Sequence, residues 1–175
     1  SGDPGVFAMA TAVLEVQHTR GYEDVSVRVL PGMTAAQAVA SRVGAPLGHD
    51  FALISLSNRL KPWEQVVTRV RAVAGADMAM AIYNPASKKR TWQVEEFKNI
   101  LLEYRTPDTP VIVARAVGAP EEKVTVTTLG NLDPQVVDMR TMLVIGASTS
   151  VTYKSVDGTR VYTCLLYTSP SPRDS

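Results

Sequence analysis

Cysteine is almost absent: Cys164 stands alone among 175 residues, which excludes an internal disulfide and a zinc site built on cysteines. Histidine is as scarce. His18 and His49 have no metal-ligand spacing to another donor, so no metal is expected and both read as structural or surface residues. Charge of one sign is also lacking, since 18 Lys and Arg face 17 Asp and Glu, a net charge of +1. That balance gives no electrostatic reason to expect nucleic acid or a membrane surface. No apolar run approaches the roughly 18–20 residues that span a bilayer. GxSxG, HExxH, Walker-type and GxGxxG loops are missing too, which argues against hydrolases, metalloproteases and nucleoside triphosphatases.

What is present is a core-forming composition, 45% hydrophobic and 20% charged, long enough for one ordinary domain or two small ones. A soluble, reducing, cytoplasmic setting is the default expectation. The chain opens without Met on a Gly-Asp-Pro-Gly turn, so an N-terminal piece is expected to precede it. Residues 164–175 turn abruptly Ser/Pro-rich and resemble translated sequencing-adapter read-through. They are set apart from the fold.

The body alternates helix-like and strand-like segments, the pattern of an α/β protein. Residues 7–17 read as a helix, and Val25, Val27 and Val29 alternate with polar residues as a half-buried strand. Thr34 with Gln37 forms a capping box for an Ala-rich helix ending near Gly44. Residues 51–56 read as a strand, and Pro62 suits the first turn of a helix with an apolar stripe from Trp63 to Ala74. Met78 to Tyr83 is almost wholly apolar, as a strand covered on both faces requires. An amphipathic helix from Trp92 to Tyr104 stops at Thr106-Pro107, before a buried strand at 111–114. Val124 to Leu129 suits an antiparallel partner, because its connection is too short for a helical crossover. Asp133-Pro134 opens a brief helix, 142–145 is the last core strand, and 151–163 is a hairpin around Asp157-Gly158. A boundary near Ser57 to Lys61 divides the chain into 1–59, 60–163 and the tail.

Chemistry is expected at turns on strand ends. Gly2-Asp3-Pro4-Gly5 precedes a helix, so its peptide N–H groups can face an anionic or polar ligand, and Asp3 can accept a hydrogen bond. Pro31-Gly32-Met33-Thr34 is a second such turn. Each alone fits a plain strand-to-helix connection equally well. Together they carry more weight, because ligands of α/β folds collect at strand carboxyl ends. Tyr83-Asn84-Pro85 ends an apolar strand and is followed by Ser87-Lys88-Lys89-Arg90. That basic cluster fits either a solvated face or attraction for substrate carboxylates, and Arg115, after another buried strand, suits a fixed contact. No residue stands out as a catalytic acid, base or nucleophile. Such scarcity fits a reaction whose cofactor supplies the reactive group.

The segments SGDPGVFAMA, VLPGMTAAQAVASRVGAPLGHDFALISLSNRLKPWE, AIYNPASKKR, TPDTPVIVARAVG, VTVTTLGNL and MLVIGAS occur in an order that resembles the tetrapyrrole (corrin/porphyrin) methylases. YNPxSKxR and ISLSNxLxPWE resemble the precorrin-3B C-17-methyltransferases and their cobalt-factor III counterparts more than the sister methylases. The likeness covers roughly Ser1 to Thr163. It implies a two-domain α/β enzyme, here with an incomplete N-terminal domain, that binds S-adenosyl-L-methionine between its domains, usually as a homodimer. The family's first strand and Gly/Pro-rich loop would be missing. By position, cofactor contacts fall on Gly2, Asp3, Pro4, Val6, Thr34, Ala35, Tyr83, Asn84, Ala116 and Thr128. Arg115, Lys88, Lys89 and Arg90 would meet the carboxylates of a precorrin-3B or cobalt-factor III substrate. Two departures stand out: Arg115-Ala116-Val117-Gly118 replaces the family's Arg-Asn-Ala-Gly, and no Pro-Arg-Gly-Tyr type ending follows Thr163. The alternatives are a sister methylase acting at another carbon or a non-catalytic α/β module for a nucleotide-like ligand. These 175 residues alone are expected to be inactive and prone to associate, since a missing strand exposes a sheet edge.

Overall fold

Three apolar runs, each too short for a helix, take the interior of one sheet. The computed structural model describes residues 2–87 and 92–165. In chain order its elements are α1 (Ala10–Thr19), α2 (Ala35–Val43), β1 (Gly44–Ala45), β2 (Phe51–Ser55), α3 (Trp63–Gly75), β3 (Ala79–Tyr83), α4 (Trp92–Leu102), β4 (Pro110–Arg115), β5 (Lys123–Thr128), a 3-10 turn (Pro134–Val136), β6 (Thr141–Ile145), β7 (Ser150–Ser155) and β8 (Gly158–Thr163). Five strands form a sheet of order β2-β3-β6-β4-β5, and β1, β8 and β7 form a small second sheet. β2 lies parallel to β3, whereas β6 runs antiparallel between β3 and β4. Leu143 pairs with both Ile82 and Val113. β2, β3 and β4 therefore all end at the same edge.

Side-chain alternation splits the core into two layers. Ile54, Met80, Ile82, Leu143 and Ile145 meet Val66, Val70 and Ala74 of α3 and Val94, Phe97 and Leu101 of α4. Ala81, Ile112, Ala114, Met142 and Val144 face the other way, against Ala36, Val39 and Val43 of α2 and Val161 of β8. The spacing of Val66, Val70 and Ala74 makes one stripe of α3. Full burial of Phe97 alone is worth about 1.5–3 kcal/mol. Among the described residues no helix is long and apolar enough to cross a membrane.

Several expectations hold. β5 is the antiparallel partner of β4, and β7 and β8 form the hairpin. Two need correction. Residues 25–29 form no strand, because no strand of the described chain lies beside them to complete a ladder, and Val25 is 52% exposed. The first helix starts at Ala10, since Phe7 has a left-handed φ of 49° that a helix cannot contain. The last apolar run, β6, lies between β3 and β4 near the middle of the sheet. The boundary expected near Ser57 to Lys61 falls between β2, which pairs along its length with β3, and α3, which packs on the same sheet.

The edge where β3 and β4 begin is held by one buried cation. The Arg105 side chain is 2% exposed and donates to the carbonyls of Ala74 at 2.7 Å, Met78 at 3.0 Å and Gly146 at 3.4 Å. It thereby joins the end of α3, the start of β3 and the exit of β6. Asp77 lies 3.2 Å from the guanidinium and also accepts the Ser148 N–H at 2.9 Å. Burial lowers the Arg105 pKa, and Asp77 acts against that shift. Arg105→Met leaves three carbonyls and Asp77 without their cation. Urea denaturation is expected to show a loss of about 3–5 kcal/mol, with Arg105→Lys recovering only part because one ammonium cannot replace the planar fork.

Candidate functional site

The two glycine-bearing turns meet through one carboxylate. Gly5 N–H donates to Asp3 Oδ1 at 2.7 Å, and Gly32 N–H donates to Asp3 Oδ2 at 2.9 Å. These donors, Gly32 first and then Gly5, hold the Asp3 carboxyl below the usual carboxylate range. Contact is so close that a Cβ on Gly32 would collide with the Gly2 carbonyl oxygen. Pro4 and Val6 are half-buried in the same turn; the Pro4 carbonyl accepts from Ala10 N at 2.9 Å.

The second turn meets the end of β3 through Tyr83. Thr34 is the N-cap of α2, yet its side chain caps no helix N–H. The expected capping box is absent because the Thr34 hydroxyl pairs with the Tyr83 hydroxyl instead. Tyr83 takes over part of the capping, accepting the Ala36 N–H at 3.1 Å. Ala35 stands exposed between these partners. Above them lies Phe7, whose ring is 4.8 Å from that of Tyr83. Next along the chain, Asn84 has a φ of 50° and donates from Nδ2 to Ser55 Oγ at 3.1 Å. Sequence reasoning missed Ser55 and Phe7. Both lay within segments that carry the family resemblance, Phe7 in SGDPGVFAMA and Ser55 in ISLSNxLxPWE, but neither was singled out as a site residue.

Ala116 emerges from β4 at the same edge, two strands from β3 or about 10 Å. It has a φ of 54°, and its N–H donates to Arg140 O at 3.0 Å. Phe7, Asn84 and Ala116 are three of four non-glycine residues with positive φ among the described residues. Strain of this kind gathers at functional sites. The loop after Ala116 is tied to α2. Arg42 donates to both Glu122 carboxylate oxygens, at 2.6 and 3.1 Å, and Gly118 N–H donates to Glu122 Oε2 at 2.7 Å. These contacts, Arg42 first, hold the Glu122 pKa down to about 2.

Not every expected residue joins this cluster. By register Arg115 points to the face of the sheet opposite Tyr83, and its guanidinium pairs with Asp138 at 2.7 Å. It lines a depression of about 330 Å³ with Val113, Lys123, Thr125 and Thr127. Thr128 is not brought into the cluster either: β5 runs back along β4, so Thr128 pairs with Pro110 while Lys123 pairs with Arg115. That places Thr128 about 17 Å away, at the opposite edge. Lys88, Lys89 and Arg90 lie outside the described residues.

Helices on both faces of a mixed sheet define an α/β protein, with glycine turns and positive-φ residues gathered where β3 and β4 end. The sequence profile of the Tetrapyrrole (Corrin/Porphyrin) Methylases matches residues 1–133, and the chain belongs to that family. It is 54% identical over 171 residues to the cobalamin biosynthesis protein CobIJ of Mycobacterium tuberculosis (strain ATCC 25618 / H37Rv), covering 95% of this chain and 33% of CobIJ. The precorrin-3B C(17)-methyltransferase of Sinorhizobium sp is 44% identical over 173 residues, 97% of this chain and 68% of that protein. The crystal structure of the methyltransferase CobJ superposes with a TM-score of 0.86 at 43% identity, covering 94% of this chain and 67% of that one. The chain thus spans about one third of the CobIJ relative and two thirds of the other two.

Two outcomes are expected. Tyr83→Phe strands the Ala36 N–H and the Thr34 hydroxyl, and denaturant unfolding should show a loss of about 1–3 kcal/mol. Because the folded Glu122 pKa of about 2 lies below the ordinary 4.5, its tie to Arg42 is fully stabilising above pH 4.5 and is lost as pH falls through 2. The pair is exposed and screened by solvent, so melting temperatures between pH 5 and 2 should fall only slightly more steeply for the unaltered protein than for Glu122→Gln.

Proposed function

We propose that the parent enzyme transfers a methyl group from S-adenosyl-L-methionine to carbon 17 of a precorrin-3B or cobalt-factor III tetrapyrrole, with ring contraction, in cobalamin biosynthesis. The observation that carries this reading is the seam where the two glycine turns, bridged by Asp3, sit over Tyr83 at the strand ends of a tetrapyrrole methylase. The names of the Sinorhizobium and Mycobacterium relatives support the choice of reaction and pathway.

The residues present suit such a cofactor. Asp3 keeps acceptor capacity beyond its two N–H bonds, since a carboxylate has about four lone-pair sites. Its negative charge complements a sulfonium. The Thr34–Tyr83 pair offers hydroxyl groups, and the Phe7 and Tyr83 rings offer apolar surface. When bound, the sulfonium supplies an already activated methyl group. The protein's own task is placement, which lowers a barrier by roughly 7–11 kcal/mol in favourable cases. In this reading Gly2, Asp3, Pro4 and Val6 form one wall, Thr34, Ala35, Tyr83 and Asn84 a second, and Ala116 the far side. Thr128 is left out. Arg115 stays a candidate for a substrate carboxylate, because Asp138 engages only its Nε. Lys88, Lys89 and Arg90 are candidates by sequence alone. The whole enzyme is read as a homodimer, as the family resemblance implies, in the cytoplasmic setting that the near absence of cysteine suits.

Calorimetric titration of the full-length protein with S-adenosylhomocysteine is the test. Binding is expected, weakened at least roughly tenfold by Asp3→Ala with Thr34→Val, the loss of about 1.4 kcal/mol. Absence of binding, or equal binding by the double variant, would sink the cofactor site. Isotopic labelling of the transferred methyl should place it on carbon 17, and label on another carbon would overturn the substrate assignment.

A further inference from the structure

α2 touches both halves of the proposed cofactor site. Its first turn carries Ala35 and is tied to the end of β3 by the Ala36 N–H bond to the Tyr83 hydroxyl. Its last turn carries Arg42, tied to Glu122 in the loop that leads from β4 to β5. From β3 to β5 is three strand spacings, about 14 Å. A nine-residue helix is about 13.5 Å long. The helix therefore suits a strut laid across the strand ends.

Glu122 does two things at once. Its carboxylate clasps the loop internally through Gly118 N–H, and it anchors that loop to Arg42. The loop is also closed by Ala119 N–H to Ala116 O and Glu122 N–H to Ala119 O, both at 3.0 Å, and Arg140 pairs with its Glu121. Ala116, at its start, holds a left-handed φ of 54°, a conformation that persists only where the surroundings over-determine it. An ion pair this exposed adds little to stability. Its two-pronged geometry fixes direction.

We propose that Arg42 and Glu122 are positioning residues of the cofactor site, setting through α2 where Ala116 stands relative to Thr34 and Ala35. This rests on the reading that those residues line one S-adenosylmethionine site. The signature is loss of ligand affinity with little loss of stability, the reverse of what a merely structural pair gives.

The test measures the dissociation constant for S-adenosylhomocysteine and the melting temperature on the full-length protein. Glu122→Gln and Arg42→Ala should each weaken binding roughly fivefold or more, with melting temperatures near that of the unaltered protein at pH 7. Their combination should be no worse than either alone, since the residues act as one unit. Arg42→Lys, which keeps the charge without the fork, should fall between and serves if Arg42→Ala misfolds. Arg71→Ala, on α3, removes a comparable exposed pair with Glu103 and should leave affinity unchanged. Unchanged affinity in both single variants, while the parent binds, overturns the positioning role. So does a loss of affinity matched by Arg71→Ala. A parent that fails to bind overturns the cofactor reading itself.

Discussion

The antiparallel insertion of β6 between β3 and β4 is the constraint from which the candidate site follows. One reversed strand, apolar on both faces, forces its two neighbours to run the same way. Their carboxyl ends then open on a single edge, two strand spacings apart. Asn84 leaves one and Ala116 leaves the other, both in left-handed conformations. α2 lies over the same face and pins Tyr83 by a hydrogen bond that its own N-cap does not make.

The two edges of the sheet solve different problems. At the amino ends of β3 and β4, Arg105 gathers three backbone carbonyls around one buried charge, and the result is a fixed corner. At the carboxyl ends the polar groups are shared more thinly. Asp3 holds two amides and retains lone pairs, and Ser55 and Asn84 are bonded to each other at the rim. The buried charge lies at one end, and three of the four non-glycine residues with positive φ among the described residues, Phe7, Asn84 and Ala116, lie at the other.

Much of this was legible in the sequence because it is written locally. The runs at 79–83, 111–114 and 142–145 are apolar whichever strands they pair with, and the short link to Val124 forces an antiparallel neighbour. The turns at 2–5 and 31–34 announced themselves by glycine and proline. What stayed hidden depends on distant partners. The Asp3–Gly32 bond spans 29 positions, and the Thr34–Tyr83 pairing spans 49. The latter overrode a capping pattern that was locally sound. Residues 25–29 have a strand's alternation but no neighbour to pair with among the described residues, and Thr128 was placed by motif order while the register of β5 carries it away.

The contact between Gly32 and the Gly2 carbonyl has a consequence for protein engineering. Position 32 is closed to every side chain, because even a methyl group overlaps backbone that Asp3 already holds in place. One residue further on, Met33 is 64% exposed and free of that restriction. A library aimed at reshaping the ligand edge therefore has unequal room within a single turn. Diversity belongs at 33, and glycine at 32 is part of the scaffold.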